Sequence, residues 1–129
     1  MSLIFPNASS LISFLPFSAP PKLKATYKQY YEAIAGDVFS LKCPFRHADP
    51  PASVIWRRNG QILNSASGDR FSASGKRLEI SNVIYEDSGN YTCTATNNIG
   101  SDVIAKFVVE VTGKDYFLNK LTKYEIDGR

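Results

Sequence analysis

The groups able to do chemistry are few and widely spaced. His47 is the only imidazole in the chain, in a stretch shared with Arg46, Asp49, Pro50 and Pro51. A zinc site draws on several His, Cys or carboxylate ligands, and no run here spaces them. A nucleophilic serine needs a base within hydrogen-bond reach and a third group that orients the base; no serine has that company. Gly60, Gly68 and Gly75 stand singly, not as a loop that cradles phosphate. The expectation is a chain without catalysis, metal or cofactor.

Two thiols remain, Cys43 and Cys93. An even pair suits one disulfide or two buried thiols. A bond between them would close a loop of about 50 residues, worth roughly 4 kcal/mol by chain entropy, and would place the chain in an oxidising compartment. Two motifs could accept an N-linked glycan, Asn7-Ala8-Ser9 and Asn90-Tyr91-Thr92. If Tyr91 and Cys93 face inward, Asn90 faces outward.

Charge narrows the partners. Fifteen Lys and Arg against twelve Asp and Glu give a net charge of +3, weakly attractive to anionic surfaces and far short of a dedicated nucleic-acid binder. No stacking platform of aromatic and basic residues is readable either. Arg57, Arg58, Lys76, Arg77 and Lys106 would form a surface for acidic glycans only if the fold gathers them.

The elements that position these groups read as strands. The chain has 129 residues, enough for one domain. No stretch of 18 apolar residues suggests a membrane span. Residues 1–21 carry no charge and hold an apolar run at Leu11, Ile12, Phe14, Leu15 and Phe17, broken by Pro16. They read as an apolar arm or the remnant of a targeting segment, able to lie on a sheet edge or to cross to a second copy and make a homodimer. From 22 to 112 the sequence alternates apolar and polar residues between turns. Ser53–Arg58 leads into Asn59-Gly60, a strong hairpin signal, with Gln61-Ile62-Leu63 as a short return strand. Val103, Ala105, Phe107, Val109 and Val111 share one face of a long final strand. Short strands at this spacing, with no helical period between them, indicate an all-β antiparallel sandwich. Residues 113–129 lose the alternation. Phe117, Leu121 and Tyr124 fall at helical spacing there, so the segment reads as a linker or a short helix.

The order Cys43, Trp56, Cys93, with Tyr91 two places before the second cysteine in EDSGNYTC, resembles an immunoglobulin domain with a Greek-key sandwich. Asp49-Pro50-Pro51, Trp56-Arg57-Arg58-Asn59-Gly60, Leu78-Glu79-Ile80-Ser81-Asn82-Val83 and Asn97-Asn98-Ile99-Gly100 resemble the I-set subclass. The resemblance covers about residues 22–112. It implies that Cys43 and Cys93 bridge the two sheets, that Trp56 packs beside the bridge, and that Leu78 and Ile80 join the core. It also implies that the Tyr91 hydroxyl ties back to loop backbone, that Arg70 pairs with Asp87, and that Gly89 serves a tight bend.

Period two on strands C, F and G then fixes an outward set: Ile55, Arg57, Thr92, Thr94, Ile104, Lys106 and Val108. Aliphatic side chains with a polar rim suit packing against another protein. The resemblance implies a recognition or adhesion module, homophilic or heterophilic, at the cell surface or outside the cell, as one unit of a larger protein. The alternative is a cytoplasmic, sarcomeric structural domain of the same subclass. Fold alone does not decide between them.

Overall fold

The computed structural model describes residues 18–114. Asn7, the apolar run of the arm, and Phe117, Leu121 and Tyr124 lie outside the described residues.

Ten strands follow one another: β1 (Lys22–Leu23), β2 (Tyr30–Ile34), β3 (Phe39–Lys42), β4 (Phe45–Arg46), β5 (Ser53–Arg58), β6 (Gln61–Ile62), β7 (Phe71–Ser74), β8 (Arg77–Ile80), β9 (Gly89–Thr96) and β10 (Val103–Thr112). Single 3-10 turns at Ser65–Ser67 and Tyr85–Asp87 punctuate them. A five-stranded sheet in the order β2-β10-β9-β5-β6 stacks on a three-stranded sheet β3-β8-β7, and β1 pairs with β4 as a separate ribbon. All pairings between named strands are antiparallel except one: β2 runs parallel to β10, with Tyr30 beside Val108 and Glu32 beside Glu110.

Ala19 and Asp49 exchange backbone hydrogen bonds of 2.7 and 3.0 Å, and the Asn97 side-chain amide donates to the Ala19 carbonyl at 2.7 Å. These bonds hold the chain on the domain before β1 begins.

The core lies between the sheets because each strand turns every second residue inward. On β9 the buried residues are Tyr91, Cys93 and Ala95; on β10 they are Ala105, Phe107, Val109 and Val111. Leu41, Leu78, Ile80 and Val83 face them from the other side. Cys43 and Cys93 are disulfide-bonded, with Cα atoms 5.9 Å apart and 50 residues between them. Trp56 is the cross-strand partner of Cys93 on the inner face, so its indole stands beside the bridge. The indole stacks on Phe107 at 5.9 Å, and its N–H donates to the Gly75 carbonyl at 3.4 Å. Tyr27 and Tyr31 meet Phe107 from the β2 side at 5.7 and 6.1 Å.

The Asn59-Gly60 turn joins β5 to β6 with both residues at positive φ, 49° and 87°, the combination a two-residue hairpin of right-handed twist requires. Gly89 at the start of β9 has φ 155°. A Cβ there would stand 2.9 Å from Asn59 Oδ1, and that same oxygen accepts the Asn90 N–H at 3.0 Å. The bend therefore admits only glycine without displacing the turn.

Replacing both cysteines with alanine is expected to lower unfolding free energy by about 4 kcal/mol, as the loop-closure model gives for 50 residues. Urea unfolding of the double variant against the oxidised parent measures this. Equal midpoints and slopes would refute a stabilising bridge.

Candidate functional site

The centre of the five-stranded sheet is β5, β9 and β10. With Trp56, Cys93 and Phe107 turned inward, their neighbours form rows on the opposite face. Ile55, Thr94 and Ile104 make the first row. Ile62, Arg57, Thr92 and Lys106 make the second. Asn90, Val108 and Tyr30 make the third, and Glu110 with Glu32 the fourth. All seven outward-set residues thus lie in the first three rows.

The face is unusually apolar for solvent. Among the described residues, Tyr30, Ile55, Ile62, Ile104 and Val108 are 40–53% exposed, and only Val38, Ile84 and Tyr85 are comparable large apolar residues elsewhere. Isolated surface aliphatics are ordinary; five on one sheet face form a patch. Polar contacts stiffen it. Arg57 donates to Thr94 Oγ1 at 3.3 Å, the Tyr30 hydroxyl donates to Glu110 Oε2 at 2.6 Å, and the Lys106 N–H donates to the Tyr27 hydroxyl at 3.1 Å.

Ile62, Tyr30, Glu32 and Glu110 were not in the sequence-derived set. Ile62 was within reach: a two-residue turn at 59–60 pairs 58 with 61 and 57 with 62. Tyr30 and Glu32 carried no such signal, because their register comes from a parallel partner nearly eighty residues away.

The five cations considered for an acidic glycan do not converge, which corrects that expectation. Arg57 and Lys106 flank Thr92 on the outward face. Arg58 turns to the domain edge, donating to the Glu86 carbonyl at 3.1 Å. Arg77 belongs to the other sheet, opposite Lys42 and 3.8 Å from Glu79. Lys76 donates to the Phe45 carbonyl at 3.0 Å and lies 4.2 Å over the Phe45 ring. Burial first, then the charges of Lys42 and Lys24, lowers the Lys76 pKa. The sandwich separates these groups because strands β5 and β8 belong to different layers.

A second polar cluster closes the corner before β9. Asp87 is buried and receives two bonds from Arg70, at 2.7 and 3.0 Å. Arg58 adds a contact at 3.4 Å and the Ile84 N–H donates to Oδ2 at 2.9 Å. Burial pushes the Asp87 pKa up; the bonds from Arg70 and Ile84, with the charges of Arg70 and Arg58, outweigh it and hold the pKa below its ordinary value. The Tyr91 hydroxyl donates to the Asp87 carbonyl at 2.6 Å. Burial drives the Tyr91 pKa up to about 12. The arrangement is structural: the carboxylate is saturated and enclosed, with no room for a substrate.

His47 is exposed, and among the described residues no three His, Cys, Asp or Glu gather to hold a metal. Among the same residues, no helix is long and apolar enough to cross a membrane. Asn90 is exposed at the third row, its backbone locked to Asn59 in both directions at 2.8 and 3.0 Å.

Residues 20–97 match a family model described as an immunoglobulin domain. Hemicentin-2 of Mus musculus is 32% identical over 89 residues, covering 69% of this chain and 2% of that protein. A solved structure of Down Syndrome Cell Adhesion Molecule isoform 1.30.30, comprising its N-terminal eight Ig domains, superposes with a TM-score of 0.64 at 26% identity, covering 73% of this chain and 12% of that one. A chain of the titin M10–obscurin-like 1 Ig complex superposes with a TM-score of 0.60 at 27% identity, covering 74% of this chain and 97% of that one. The chain spans between 1% and 16% of the length of the curated relatives it matches.

Removing Arg70 leaves a buried carboxylate short of its main partner, so Arg70→Ala is expected to cost about 3 kcal/mol or more. Arg58→Ala, removing the longer and more exposed contact, is expected to cost about 1 kcal/mol or less. Because the folded Asp87 pKa is depressed, its stabilisation is present above the unfolded carboxyl value of 3.8 and is lost as pH falls through the folded value. Asp87→Asn should flatten the acid limb of the stability profile in that window. Equal losses in both arginine variants, or an unchanged acid limb in Asp87→Asn, would contradict this assignment.

Proposed function

The chain belongs to the immunoglobulin domain family, and from that premise we propose that it is a non-catalytic recognition module of the I-set type, one domain of a larger cell-surface or secreted protein. The observation that carries this reading is the concentration of exposed Ile55, Ile62, Ile104, Val108 and Tyr30 on the β2-β10-β9-β5-β6 face. The adhesion molecule among its structural relatives and the inter-sheet disulfide support an extracellular setting.

The partner that best fits the face is a second copy of this domain. Along β10 the outward residues run Lys106, Val108, Glu110. That order is self-complementary about Val108. Lys106 and Glu110 are about 13 Å apart along the strand. A two-fold axis through Val108 would lay Lys106 of each copy over Glu110 of the other, with the Val108 and Tyr30 side chains between them. An isologous contact repeats each pair twice, so every charge counts double.

A second reading, a load-bearing cytoplasmic domain, draws support from the titin M10–obscurin-like 1 superposition. The two differ in the redox state of the cysteines in the native compartment. Thiol titration of unfolded protein from its source tissue would give two free thiols in the cytoplasmic case and none in the extracellular one.

The homophilic reading predicts a charge-swap pattern. Lys106→Glu or Glu110→Lys alone should weaken self-association on densely coated beads about tenfold or more, through like-charge apposition. The double swap should restore it, and Ile104→Glu, off the axis, should weaken it less than Val108→Glu. Melting temperatures should hold within a few degrees throughout. All variants are made without glycans, and if the single swaps leave bead aggregation unchanged, or the unglycosylated parent chain stays monomeric at high coating density, the self-pairing reading is lost.

A further inference from the structure

Asn90 stands in the third row of the proposed recognition face, and its sequence position makes it more than a neighbour. Tyr91 is fully buried, its hydroxyl bonded to the Asp87 carbonyl at 2.6 Å. This locks Asn90 and Thr92 outward, with no freedom to exchange faces. The Asn90-Tyr91-Thr92 acceptor motif is therefore presented on the surface of a rigid strand. No described group bonds the Asn90 side-chain amide, while its backbone is fixed by Asn59 on both sides. Beside it opens a shallow depression of about 340 Å³ lined by Gln29, Thr92, Lys106 and Val108 over Tyr91 and Phe107.

We infer that Asn90 is an N-glycosylation site whose glycan lies over the Val108 row and controls access to the β10 face. Val108 is the direct cross-strand partner of Asn90, about 5 Å away between Cβ atoms. A sugar linked at Asn90 Nδ2 must leave along the outward direction, across Val108 or over the depression toward Lys106. A polar, hydrated chain there excludes an apolar contact centred on Val108. In a two-fold pairing about that residue, the glycans of both copies would meet at the centre. The first row, Ile55 with Thr94 and Ile104, is four residues along the strand from Asn90, about 13 Å, and stays open to a partner that does not need the third. Occupancy at one asparagine would thus select between two footprints on the same sheet. The site and its cover of Lys106 stand on the geometry alone; the control of self-pairing rests on the function proposed above.

The test secretes the full chain from mammalian cells as wild type, Asn90→Gln, and Thr92→Ser, which keeps the acceptor motif. Glycopeptide mass analysis should find the Asn90 peptide modified in wild type and Thr92→Ser, and unmodified in Asn90→Gln. At dilutions where sedimentation shows monomer, amine labelling should reach Lys106 several-fold faster in Asn90→Gln than in wild type, with exposed Lys22 as the unchanged reference. Self-association by sedimentation should be about tenfold tighter in Asn90→Gln, the scale expected when an interface centre is cleared. An unmodified Asn90 in folded, secreted protein overturns the site. A modified Asn90 with equal Lys106 labelling overturns the cover. A modified, covering glycan with no gain of pairing in Asn90→Gln overturns the control of self-pairing, and it tells against the homophilic reading while leaving the site and its cover intact.

Discussion

The facing of strand β9 is the constraint on which the rest of the domain depends. A strand offers only two rotational settings, and a slip of one residue exchanges its faces. Here the setting is fixed by a covalent bond at Cys93 and by the buried Tyr91 hydroxyl at the strand's beginning. β5 and β10 pair with β9 on either side, so its parity passes to both. Trp56 inward forces Ile55 and Arg57 outward, and Phe107 inward forces Lys106 and Val108 outward. The proposed recognition face is a consequence of the core. It needs no instruction of its own beyond the choice of residues at positions the core leaves free.

The disulfide is not the sole link between the layers. Asp87 gathers Arg58 from the end of the five-stranded sheet and Arg70 from the entry to β7 in the other. A buried carboxylate is costly unless fully paired, and this one accepts bonds from two guanidinium groups and one backbone N–H. The same residue's carbonyl takes the Tyr91 hydroxyl. One corner thus fixes the approach to β9, the spacing of the sheets and the direction in which β9 leaves. Both guanidinium groups also stack near the Phe71 ring, Arg70 at 5.2 Å and Arg58 at 5.8 Å. Their apolar faces are covered while their edges serve the carboxylate.

Much of this was legible in the sequence because its causes are local or covalent. Period-two alternation identifies β5, β9 and β10 and their outward residues. Asn59-Gly60 identifies a turn because few other residues accept positive φ twice in succession. The order of Cys43, Trp56, Tyr91 and Cys93 carries the resemblance to an immunoglobulin domain, and the sandwich is what that resemblance implies. What sequence could not supply was non-local register. β2 reads as YYEAI, without a clear alternation, and gains its place only by parallel pairing with the end of β10. β1 and β4 are two residues each, shorter than any pattern. The basic residues illustrate the same limit. Lys76 and Arg77 are adjacent in sequence to no element of the β5 face, and only the layer arrangement shows that they point away from Arg57 and Lys106.

The size of the face bears on how such a module could work. Five strands about 4.8 Å apart and four rows about 7 Å deep bound a rectangle of roughly 670 Å², and no row crosses all five strands, so the footprint is smaller still. A stable specific complex hides about 800 Å² on each side. A contact of this extent, with aliphatic rows and exposed charges and no large aromatic beyond Tyr30, holds weakly by itself. Weak contacts become effective when several act together, since a tethered second contact forms at an effective concentration near millimolar. The curated relatives are far longer than this chain, which is the setting in which repetition is available. Weakness would also make the Asn90 row a sensitive place for control. A glycan there, as proposed above, would cover one row in four, whereas in a large interface it would be skirted. Under that proposal, association would be set by how many copies engage and how many carry sugar, more than by the strength of any single pairing.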